Sequence, residues 1–345
     1  MTANLSAQET NKPFIVAEVS GNHNGDLNRA LSIVDAVADS GAHAVKFQTY
    51  TADTITIDCD EPRFKISDNH PLWGGRNLHE LYSEAHTPWA WHEALFERAR
   101  EQGLIPFSSP FDRAAIELLE DLGAPLYKIA SLEIGDLDLI RAVAQTGKPI
   151  ILSNGAASLS DIDLAIRTIR AEGNEDITVL CCTSSYPADP SESNLRGIPV
   201  LAEMFGVKTG LSDHTMGIGA AIAAVALGAS VIEKHVTLDR QDGGVDSDFS
   251  LEPAELQQLV LETNRAWESL GSPTFVPTDS EEESLRLRRS LCVVKNVRKG
   301  DRVTADNVRS IRPAGGLAPK YLNLVMGREF SSDVAKGTAL TWDII

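Results

Sequence analysis

Cysteines, long apolar runs and a targeting segment are scarce or missing in this sequence. Its 345 residues include four cysteines, none in a CxxC pair, and Cys181 and Cys182 are adjacent within an apolar run. That placement is typical of buried, reduced thiols in a cytoplasmic protein. The longest apolar stretch, 220–232, is shorter than the ~20 residues of a membrane span. The polar start, MTANLSAQETNKPF, has no basic segment followed by an apolar one, so we expect no signal peptide and a cytoplasmic location.

Positive charge is also scarce, with 31 Lys+Arg against 49 Asp+Glu and a formal net charge of −18. A nucleic-acid binder would need a basic face for the phosphates, so this class is disfavoured. The charge is unevenly distributed along the chain: residues 285–345 carry a net charge of +7, and residues 1–284 carry a net charge of −25. A basic module joined to an acidic body predicts that the two dock, within or between subunits. A merely soluble basic surface is the alternative.

An alternation of strands and helices fills the first 270 residues. Short β-type runs alternate with segments whose apolar residues recur at helical spacing, up to a last helix at 253–270. The eight β-type runs are 14–20, 44–50, 105–111, 126–131, 149–155, 177–185, 207–214 and 230–237. Eight strand–helix units predict a (β/α)8 TIM barrel, whereas a doubly wound sheet, the alternative, usually stops at five or six strands.

Three parts of the chain are predicted from changes in composition. Residues 1–270 are the TIM-barrel catalytic domain, 271–284 an exposed linker, and 285–345 a small separate domain. The small domain contains a repeat, in which the first copy, NVRKGDRVTADNV (296–308), matches the second copy, DVAKGTALTWDII (333–345). We expect each copy to form a strand, a turn and a short helix, in a module too small for catalysis of its own.

Polar residues stand at the end of every predicted strand, which is where a TIM barrel has its active site. They are Glu18, Lys46, Gln48, Ser108, Ser109, Lys128, Ser131, Ser153, Thr183, Ser184, Ser185, Ser212, Asp213, His214, Glu233 and His235. A barrel built for packing alone would have Val, Ile or Leu at these positions. The connection at 51–86 is too long for a plain turn and predicts a lid or a substrate-recognition loop on the same side.

Three kinds of chemistry are indicated by these residues. His214 and His235 end adjacent strands about 5 Å apart and are predicted to share one divalent metal as a Lewis acid; two structural histidines are the alternative. Lys46 and Lys128, together with hydroxyls from five strand ends, predict a pocket for phosphate plus carboxylate, and a Schiff-base lysine is the competing interpretation. Glu18 is a candidate general acid or base, or else an ion-pairing residue.

The motifs resemble a known family. In order, AEVSGNHNG, AVKFQTY, FSSPFD, YKIAS, TSSYP, GLSDHT and VIEKHVTLDR resemble the sialic-acid synthase family, which condenses phosphoenolpyruvate with amino-sugar aldehydes. RSIRP and the repeated KG elements resemble its C-terminal antifreeze-like (SAF) domain. LWGG, LHELYSEAHTPWAWHEALFERA and FSSPFD look most like the pseudaminic acid synthase branch. The resemblance implies that phosphoenolpyruvate, 2,4-diacetamido-2,4,6-trideoxy-β-L-altrose and water give a nine-carbon 2-keto acid and phosphate, with Mn²⁺, Mg²⁺ or Co²⁺ as cofactor.

The resemblance also implies roles for individual residues. Phosphoenolpyruvate binding is implied for Lys46, Ser109, Lys128, Ser131, Ser153, Ser184 and Ser212. Sugar binding is implied for Glu133, Tyr186, Glu233, Asp246 and Arg312. Catalysis is implied for Glu18, Lys46 and Lys128, and metal binding for His214 and His235. The resemblance further implies a domain-swapped homodimer, in which the SAF domain of one subunit sends Arg312 to the sugar site of the other.

The sequence departs from the family pattern at two places, and other functions are alternatives to the one that the resemblance implies. SNGAAS replaces the usual STGM, so Asn154 and Ala156 are unusual, and Ser184 stands where sialic-acid synthases proper carry Asn. Legionaminic or N-acetylneuraminic acid synthesis by the same chemistry is the nearest alternative. A Schiff-base aldolase or lyase is an alternative of another class. An ice- or carbohydrate-binding protein is a third, which would leave the polar strand ends unexplained.

Overall fold

The computed structural model describes residues 12–68 and 72–345. These residues fall into two compact units that meet in the chain between Gly271 and Ser272. Most of the polar start, on which the expectation of no signal peptide rests, lies outside the described residues. Within the described part of the chain, no helix combines the length and the apolar character that crossing a membrane requires.

The first unit is a closed barrel of eight parallel strands in sequential order, which confirms the predicted TIM-barrel fold. Its strands are β1 (Phe14–Glu18), β2 (Ala44–Thr49), β3 (Ile105–Pro110), β4 (Tyr127–Ile129), β5 (Ile150–Ser153), β6 (Ile177–Cys182), β7 (Lys208–Asp213) and β8 (Val231–His235). The barrel closes where β8 pairs with β1, placing Glu18 in register with His235. On its other side β1 pairs with β2, and Glu18 is in register with Lys46.

Helices connect the strands and cover the outside of the barrel. They are α1 (Leu27–Asp39), α2 (Ala52–Ile55), α3 (Leu78–Ala85), α4 (His92–Glu101), α5 (Arg113–Asp121), α6 (Leu137–Ala144), α7 (Leu159–Ala171), α8 (Gly197–Phe205), α9 (Gly219–Ala226) and α10 (Pro253–Leu270). Several begin at a side chain that accepts a hydrogen bond from a free backbone N–H of the first turn. Asp26, Asp112, Asp136 and Ser158 cap α1, α5, α6 and α7 in this way.

The barrel interior changes character along its axis. Its lower layer is apolar and consists of Val16, Ala44, Phe107, Ile151, Leu180 and Val231. Two residues further along the strands, the inward positions carry Glu18, Lys46 and Glu233, all buried. Because the strands are parallel, every strand contributes its polar end to the same mouth of the barrel.

The connection at 51–86 folds into short elements within the first unit. It contains α2, a 3₁₀ turn at Pro62–Phe64, and α3. Residues 69–71, including His70, lie outside the described part. Trp73 donates a hydrogen bond from Nε1 to the carbonyl oxygen of Val245, at 2.9 Å, which ties this connection to the loop after β8.

The second unit has its own small apolar core, which includes Leu291, Val308 and Phe330. Its elements are α11 (Glu282–Arg286), β9 (Ser290–Val293), β10 (Val308–Ile311) and α12 (Leu322–Val325), with β9 and β10 paired antiparallel.

The two copies of the sequence repeat cap each other in this unit. The Asn296 side chain accepts a hydrogen bond from the Lys336 backbone N–H, and the Asp333 side chain accepts one from the Lys299 N–H, both at 2.8 Å. These residues occupy equivalent positions in the two copies, so the exchange is reciprocal. The expected strand–turn–helix unit is wrong in detail. The copies pair through an isolated bridge, the first leads into β10, and the second ends in a 3₁₀ turn at Trp342–Ile344.

Candidate active site

Four buried charged residues form an ion-pair network at the mouth of the barrel. Lys46 contacts the Glu18 carboxylate and lies 3.8 Å from Glu233 Oε2. Lys128 donates a hydrogen bond from Nζ to Glu233 Oε1 at 2.8 Å. None of the four side chains is more than 5% exposed, and they come from β1, β2, β4 and β8. The network therefore links strands on opposite sides of the barrel.

Burial and pairing act against each other on these four groups. Burial raises the pKa of Glu18, although Lys46 acts to lower it. Burial would raise the pKa of Glu233 as well, but Lys128 and Lys46 lower it to about 2. The pKa of Lys128 is lowered by burial, whereas Glu18 and Glu233 hold that of Lys46 above its usual value despite burial. The predicted pocket of two lysines thus already contains two carboxylates, and an entering anion has to compete with them.

Hydroxyl groups from neighbouring strand ends surround the network. Ser212 donates to Glu233 Oε1 at 2.9 Å, and Ser131 lies 2.7 Å from Ser184, oxygen to oxygen. Ser109 and Ser153 are buried, and their hydroxyls have no hydrogen-bond partner within the described residues. A buried hydroxyl without a partner costs free energy unless something absent from the structure satisfies it. The pair indicates that a polar ligand completes this part of the site.

His214 and His235 lie beside each other, as their sequence spacing predicts. Their ring centroids are 5.3 Å apart. His214 Nδ1 donates to the Thr183 carbonyl oxygen at 2.9 Å, which leaves Nε2 as the ring nitrogen that could bind a cation. Burial acts to lower the pKa of His214, but its contacts with Cys182 and with the Thr183 carbonyl raise it, so a cation has to compete with a proton there. Burial, reinforced by His214, lowers the pKa of His235 well below its usual value, so this ring is neutral.

The histidine pair fits a divalent cation, although it does not form a complete protein cage. His235 Nδ1 is buried and lacks a hydrogen-bond partner, with Asp246 Oδ2 3.7 Å away. An orphaned, neutral ring nitrogen beside a carboxylate is the donor set that a divalent metal takes. Among the residues that the structure describes, no three His, Cys, Asp or Glu side chains are grouped to hold an ion. Water or substrate oxygens would therefore have to supply the remaining ligands.

A cavity of about 350 Å³ opens next to the network and the histidine pair. Its polar lining consists of Ser20, Gln48, Ser131, Glu133, Tyr186, His235 and Asp246. Its apolar lining includes Tyr50, Ile55, Ile66, Trp73, Leu78, Leu81, Tyr82, Phe111, Leu132 and Val245. Much of the apolar wall comes from the connection at 51–86, which lies on the strand-end side of the barrel. Its role in substrate recognition stays a prediction. A cavity of this size, apolar with a few polar groups, is typical of a small-molecule site.

Three of the residues expected on the sugar side, Glu133, Tyr186 and Asp246, line this cavity, whereas Glu233 belongs to the ion-pair network and does not line it. Burial raises the pKa of Glu133 to about 7. Burial also raises the pKa of Asp246, which accepts a hydrogen bond from Ser20. Tyr186 packs against His214, with ring centroids 4.4 Å apart. Arg312 lies on the second unit, is exposed, and follows β10.

Gln48 and Ser20 connect the ion-pair network to the histidine pair. Gln48 is one of the polar strand-end residues expected at the site, whereas the sequence motifs give Ser20 no role. Gln48 Nε2 donates to Glu18 Oε1 at 3.0 Å and to Ser20 Oγ at 3.2 Å. Ser20 in turn donates to Asp246 Oδ2, which neighbours His235. Ser20 lies two residues after Glu18, in a 3₁₀ turn that begins where β1 ends and with a left-handed φ of 46°, so strand alternation gives no signal for it in the sequence.

The unusual SNGAAS segment has a structural explanation. Asn154 Oδ1 accepts a hydrogen bond from the Cys182 backbone N–H at 3.0 Å, so its side chain fixes the end of β6. Ala156 adopts a left-handed backbone conformation with φ 56°. Between them, Gly155 lies against the end of β6 and the residues after it, because an added Cβ would lie 3.1 Å from Cys182 Sγ and 2.1 Å from Ser184 Oγ. The segment therefore positions Ser184.

Known proteins with similar sequences share both units of the chain. Residues 33–274 match the NeuB family, and residues 288–345 match the SAF domain. A pseudaminic acid synthase of Helicobacter pylori is 44% identical over 96% of this chain and 98% of its own length. One of Campylobacter jejuni is 41% identical over 95% of both chains. An N,N'-diacetyllegionaminic acid synthase of Campylobacter jejuni is 36% identical over 92% of this chain and 95% of its own.

A solved structure agrees with these matches. The N-acetylneuraminic acid synthetase of Leptospira borgpetersenii superposes with a TM-score of 0.71 at 35% identity, covering 80% of this chain and 91% of the other. The resemblance predicted from the motifs is confirmed. The chain belongs to the NeuB family and carries an SAF domain at its C-terminal end.

Proposed function

We propose that the chain condenses phosphoenolpyruvate with 2,4-diacetamido-2,4,6-trideoxy-β-L-altrose and water, yielding pseudaminic acid and phosphate. Like the other members of its family, the chain is an enzyme of the transferase class. The observation that carries the proposal is a buried layer of lysines and hydroxyls beside two histidines, opening into a cavity with an apolar wall. The pseudaminic acid synthases also match at higher identity than the legionaminic acid synthase.

In this proposal the lysine and serine layer binds phosphoenolpyruvate. Lys46 and Lys128 balance the charge of its carboxylate and phosphate, and Ser109 and Ser153 donate the hydrogen bonds that their buried hydroxyls otherwise lack. Ser131, Ser184 and Ser212 contribute further donors around the same ligand. Glu18 and Glu233 keep the lysines charged and in position before the ligand arrives.

The aldehyde of the open-chain sugar is placed in the cavity against C3 of phosphoenolpyruvate. Glu133, Tyr186, Glu233 and Asp246 bind and orient the sugar. His214 and His235 would hold a divalent metal, which when bound polarises the aldehyde oxygen. A bond forms between C3 and the aldehyde carbon, and cationic character develops at C2.

In this proposal Glu18 accepts a proton in the second step. Water adds at C2, and the Glu18 carboxylate, fixed by Gln48 and Lys46, accepts the proton that this water gives up. The tetrahedral intermediate then expels phosphate by cleavage of its C2–O bond. The charged side chains around the ligand are already in position, so they stabilise the charge that develops in both transition states without having to rearrange.

The apolar wall of the cavity favours the proposed acceptor over N-acetylmannosamine. The altrose derivative carries a C6 methyl and two acetamido methyls, whereas N-acetylmannosamine has one acetamido group and a C6 hydroxyl. Ile55, Ile66, Leu78 and Leu81 offer these methyl groups an apolar surface. A legionaminic precursor has the same three methyl groups and remains the second candidate.

We further propose a cytoplasmic homodimer. The four cysteines are free thiols, as a reducing compartment permits. The net charge of +7 at residues 285–345 suits docking on an acidic barrel of the other subunit. In this arrangement the SAF domain of one subunit supplies Arg312 to the N-acyl group of the sugar in the other.

The chemistry is tested with phosphoenolpyruvate that carries ¹⁸O in its bridging oxygen. Cleavage of the C2–O bond predicts that all of this label leaves in the phosphate, as mass spectrometry of the product would show. Label retained in the keto acid would contradict the mechanism. A lysine trapped by borohydride in the presence of substrate would instead establish the Schiff-base alternative, which the ion pairing of both lysines disfavours.

A further inference from the structure

A second buried ion pair ties together the two strands that end in the histidines. Lys234 Nζ donates to Asp213 Oδ2 at 2.8 Å, and the two side chains are 0% and 1% exposed. Asp213 and Lys234 are in register between β7 and β8. Each immediately precedes a histidine, because the sequence reads Asp213-His214 on one strand and Lys234-His235 on the other.

Lys234 holds the chain on both sides of His214. Besides the Asp213 carboxylate, its ammonium contacts the carbonyl oxygen of Thr215. The Asp213 carboxylate also accepts a hydrogen bond from the Thr215 backbone N–H, at 2.9 Å, through its other oxygen. Lys234, which precedes His235, therefore holds both sequence neighbours of His214, namely Asp213 and Thr215.

This pair lies on the opposite face of the strands from the catalytic network. Successive side chains of a strand point to opposite faces, so Asp213 and Lys234 point away from Ser212 and Glu233. Ser212 and Glu233 are joined at 2.9 Å on the inner face. The ends of β7 and β8 are thus joined on both faces.

We infer that the Asp213–Lys234 pair is a positioning device that sets the separation of His214 and His235 for the metal. This inference rests on the proposed metal site and deepens it. Neither residue touches the cavity, so both act through the histidines. A buried ion pair contributes little net stability compared with apolar residues of similar volume, and a role in fixing geometry accounts for its presence here.

The double variant Asp213→Asn/Lys234→Met tests this role. The amide of Asp213→Asn keeps the oxygen that accepts from Thr215 N–H, while the ion pair and the Thr215 carbonyl contact are lost. The dissociation constant of Mn²⁺ is measured by electron paramagnetic resonance without substrate, and the melting temperature by circular dichroism. We expect Mn²⁺ binding to weaken roughly 10- to 100-fold, as for other residues that orient metal ligands, with the fold retained.

A matched control removes an ion pair away from the barrel mouth. Arg98 and Asp35 join α4 to α1 with two hydrogen bonds, at 2.7 and 2.8 Å. The variant Asp35→Asn/Arg98→Met likewise removes both charges of an ion pair, here a half-exposed one, and is expected to leave Mn²⁺ binding unaltered. If the double variant at the barrel does not fold, Lys234→Gln replaces it, and the same loss of Mn²⁺ affinity is expected.

Two outcomes overturn the inference, and they differ in what they say about the metal site. In the first, the folded Asp213→Asn/Lys234→Met variant binds Mn²⁺ as tightly as the wild type, whereas His214→Ala does not bind it. This result would contradict the positioning role but support the metal site. Unaltered Mn²⁺ binding in His214→Ala, or none by the wild-type protein, would overturn the metal site itself and the positioning role with it.

Discussion

At the level of single residues, the site is governed by charges that are buried together. The sequence predicts Lys46 and Lys128 as a cationic pocket, since a lysine within an apolar strand needs an anion. It does not predict that Glu18 and Glu233 neutralise both lysines, because which inward side chains meet depends on barrel closure and register. In the proposed function these carboxylates keep the lysines in place, and entering phosphoenolpyruvate must displace part of that pairing.

We expect the buried carboxyl of Glu133 to make the stability of the protein depend on pH. Its pKa rises from 4.5 to about 7 because the carboxyl is buried in the cavity wall. A raised folded-state pKa contributes stability below the unfolded value, and that contribution is lost as pH rises through about 7. The Glu133→Gln side chain does not ionise, so the variant does not lose stability as the pH rises. We therefore expect it to be more stable than the wild type at pH 8, by up to about 3 kcal/mol, but not at pH 4.5.

The measurement is the melting temperature of both proteins across this pH range. Glu80→Gln, which changes an exposed carboxylate on α3, serves as the control and is expected to show no such divergence. Parallel melting curves for Glu133→Gln and wild type from pH 4.5 to 8 would show that the Glu133 carboxyl titrates normally.

At the level of elements, the sequence predicts the barrel well and the cavity wall poorly. Each strand lies within its predicted run, and α10 has the predicted bounds, because apolar periodicity and polar strand ends are local signals. The wall built from 51–86 depends on contacts such as Trp73 with Val245, 172 residues away, which no local pattern reveals. The role of Asn154 likewise appears only when β6 lies beside it.

A side chain at Gly155, in the turn after β5, would crowd the side chains of Ser184, Cys182 and Ser131. A Cβ there would lie 2.1 Å from Ser184 Oγ, so Gly155→Ala must displace Ser184 or the turn. We expect a higher KM for phosphoenolpyruvate and a lower melting temperature, because an overpacked site typically costs about 1–3 kcal/mol. Gly135→Ala is the control, since a Cβ at Gly135 meets nothing within 4 Å. Equal steady-state kinetics in the two variants would contradict the proposed position of Ser184 at the anion.

The apolar wall is tested by two isoleucines of the same segment. Ile66 lines the cavity, whereas Ile57 does not line it and is 57% exposed. Ile66→Thr places a hydroxyl against the sugar methyls, so we expect the KM of the acceptor to rise roughly 5- to 30-fold, equivalent to about 1–2 kcal/mol. Ile57→Thr should change neither KM. An effect of Ile66→Thr on phosphoenolpyruvate instead of the sugar would place the sugar elsewhere.

At the level of the whole molecule, the proposed exchange of SAF domains makes each active site depend on two subunits. Lys128→Met removes a cation from the anion site, and Arg312→Ala removes the proposed contact to the sugar. A mixed dimer of the two variants contains one site with an intact barrel and the intact SAF domain of its partner. We therefore expect that unfolding and refolding the two inactive variants together restores roughly a quarter of wild-type activity, given statistical pairing.

The same mixture distinguishes exchange from self-contained subunits. If Arg312 serves the barrel of its own chain, every barrel in the mixture carries one defect and activity stays at the level of the separate variants. Each variant refolded alone is the control for recovery.

The most direct test of the proposed function is phosphate release from phosphoenolpyruvate with Mn²⁺, with and without chelator, for each of three sugars. The sugars are 2,4-diacetamido-2,4,6-trideoxy-L-altrose, its legionaminic counterpart and N-acetylmannosamine. We predict release with the altrose derivative, weak or no release with the others, and loss of all release with chelator. Release with another sugar in preference would contradict the assigned acceptor, and no release with any of them would contradict the condensation itself.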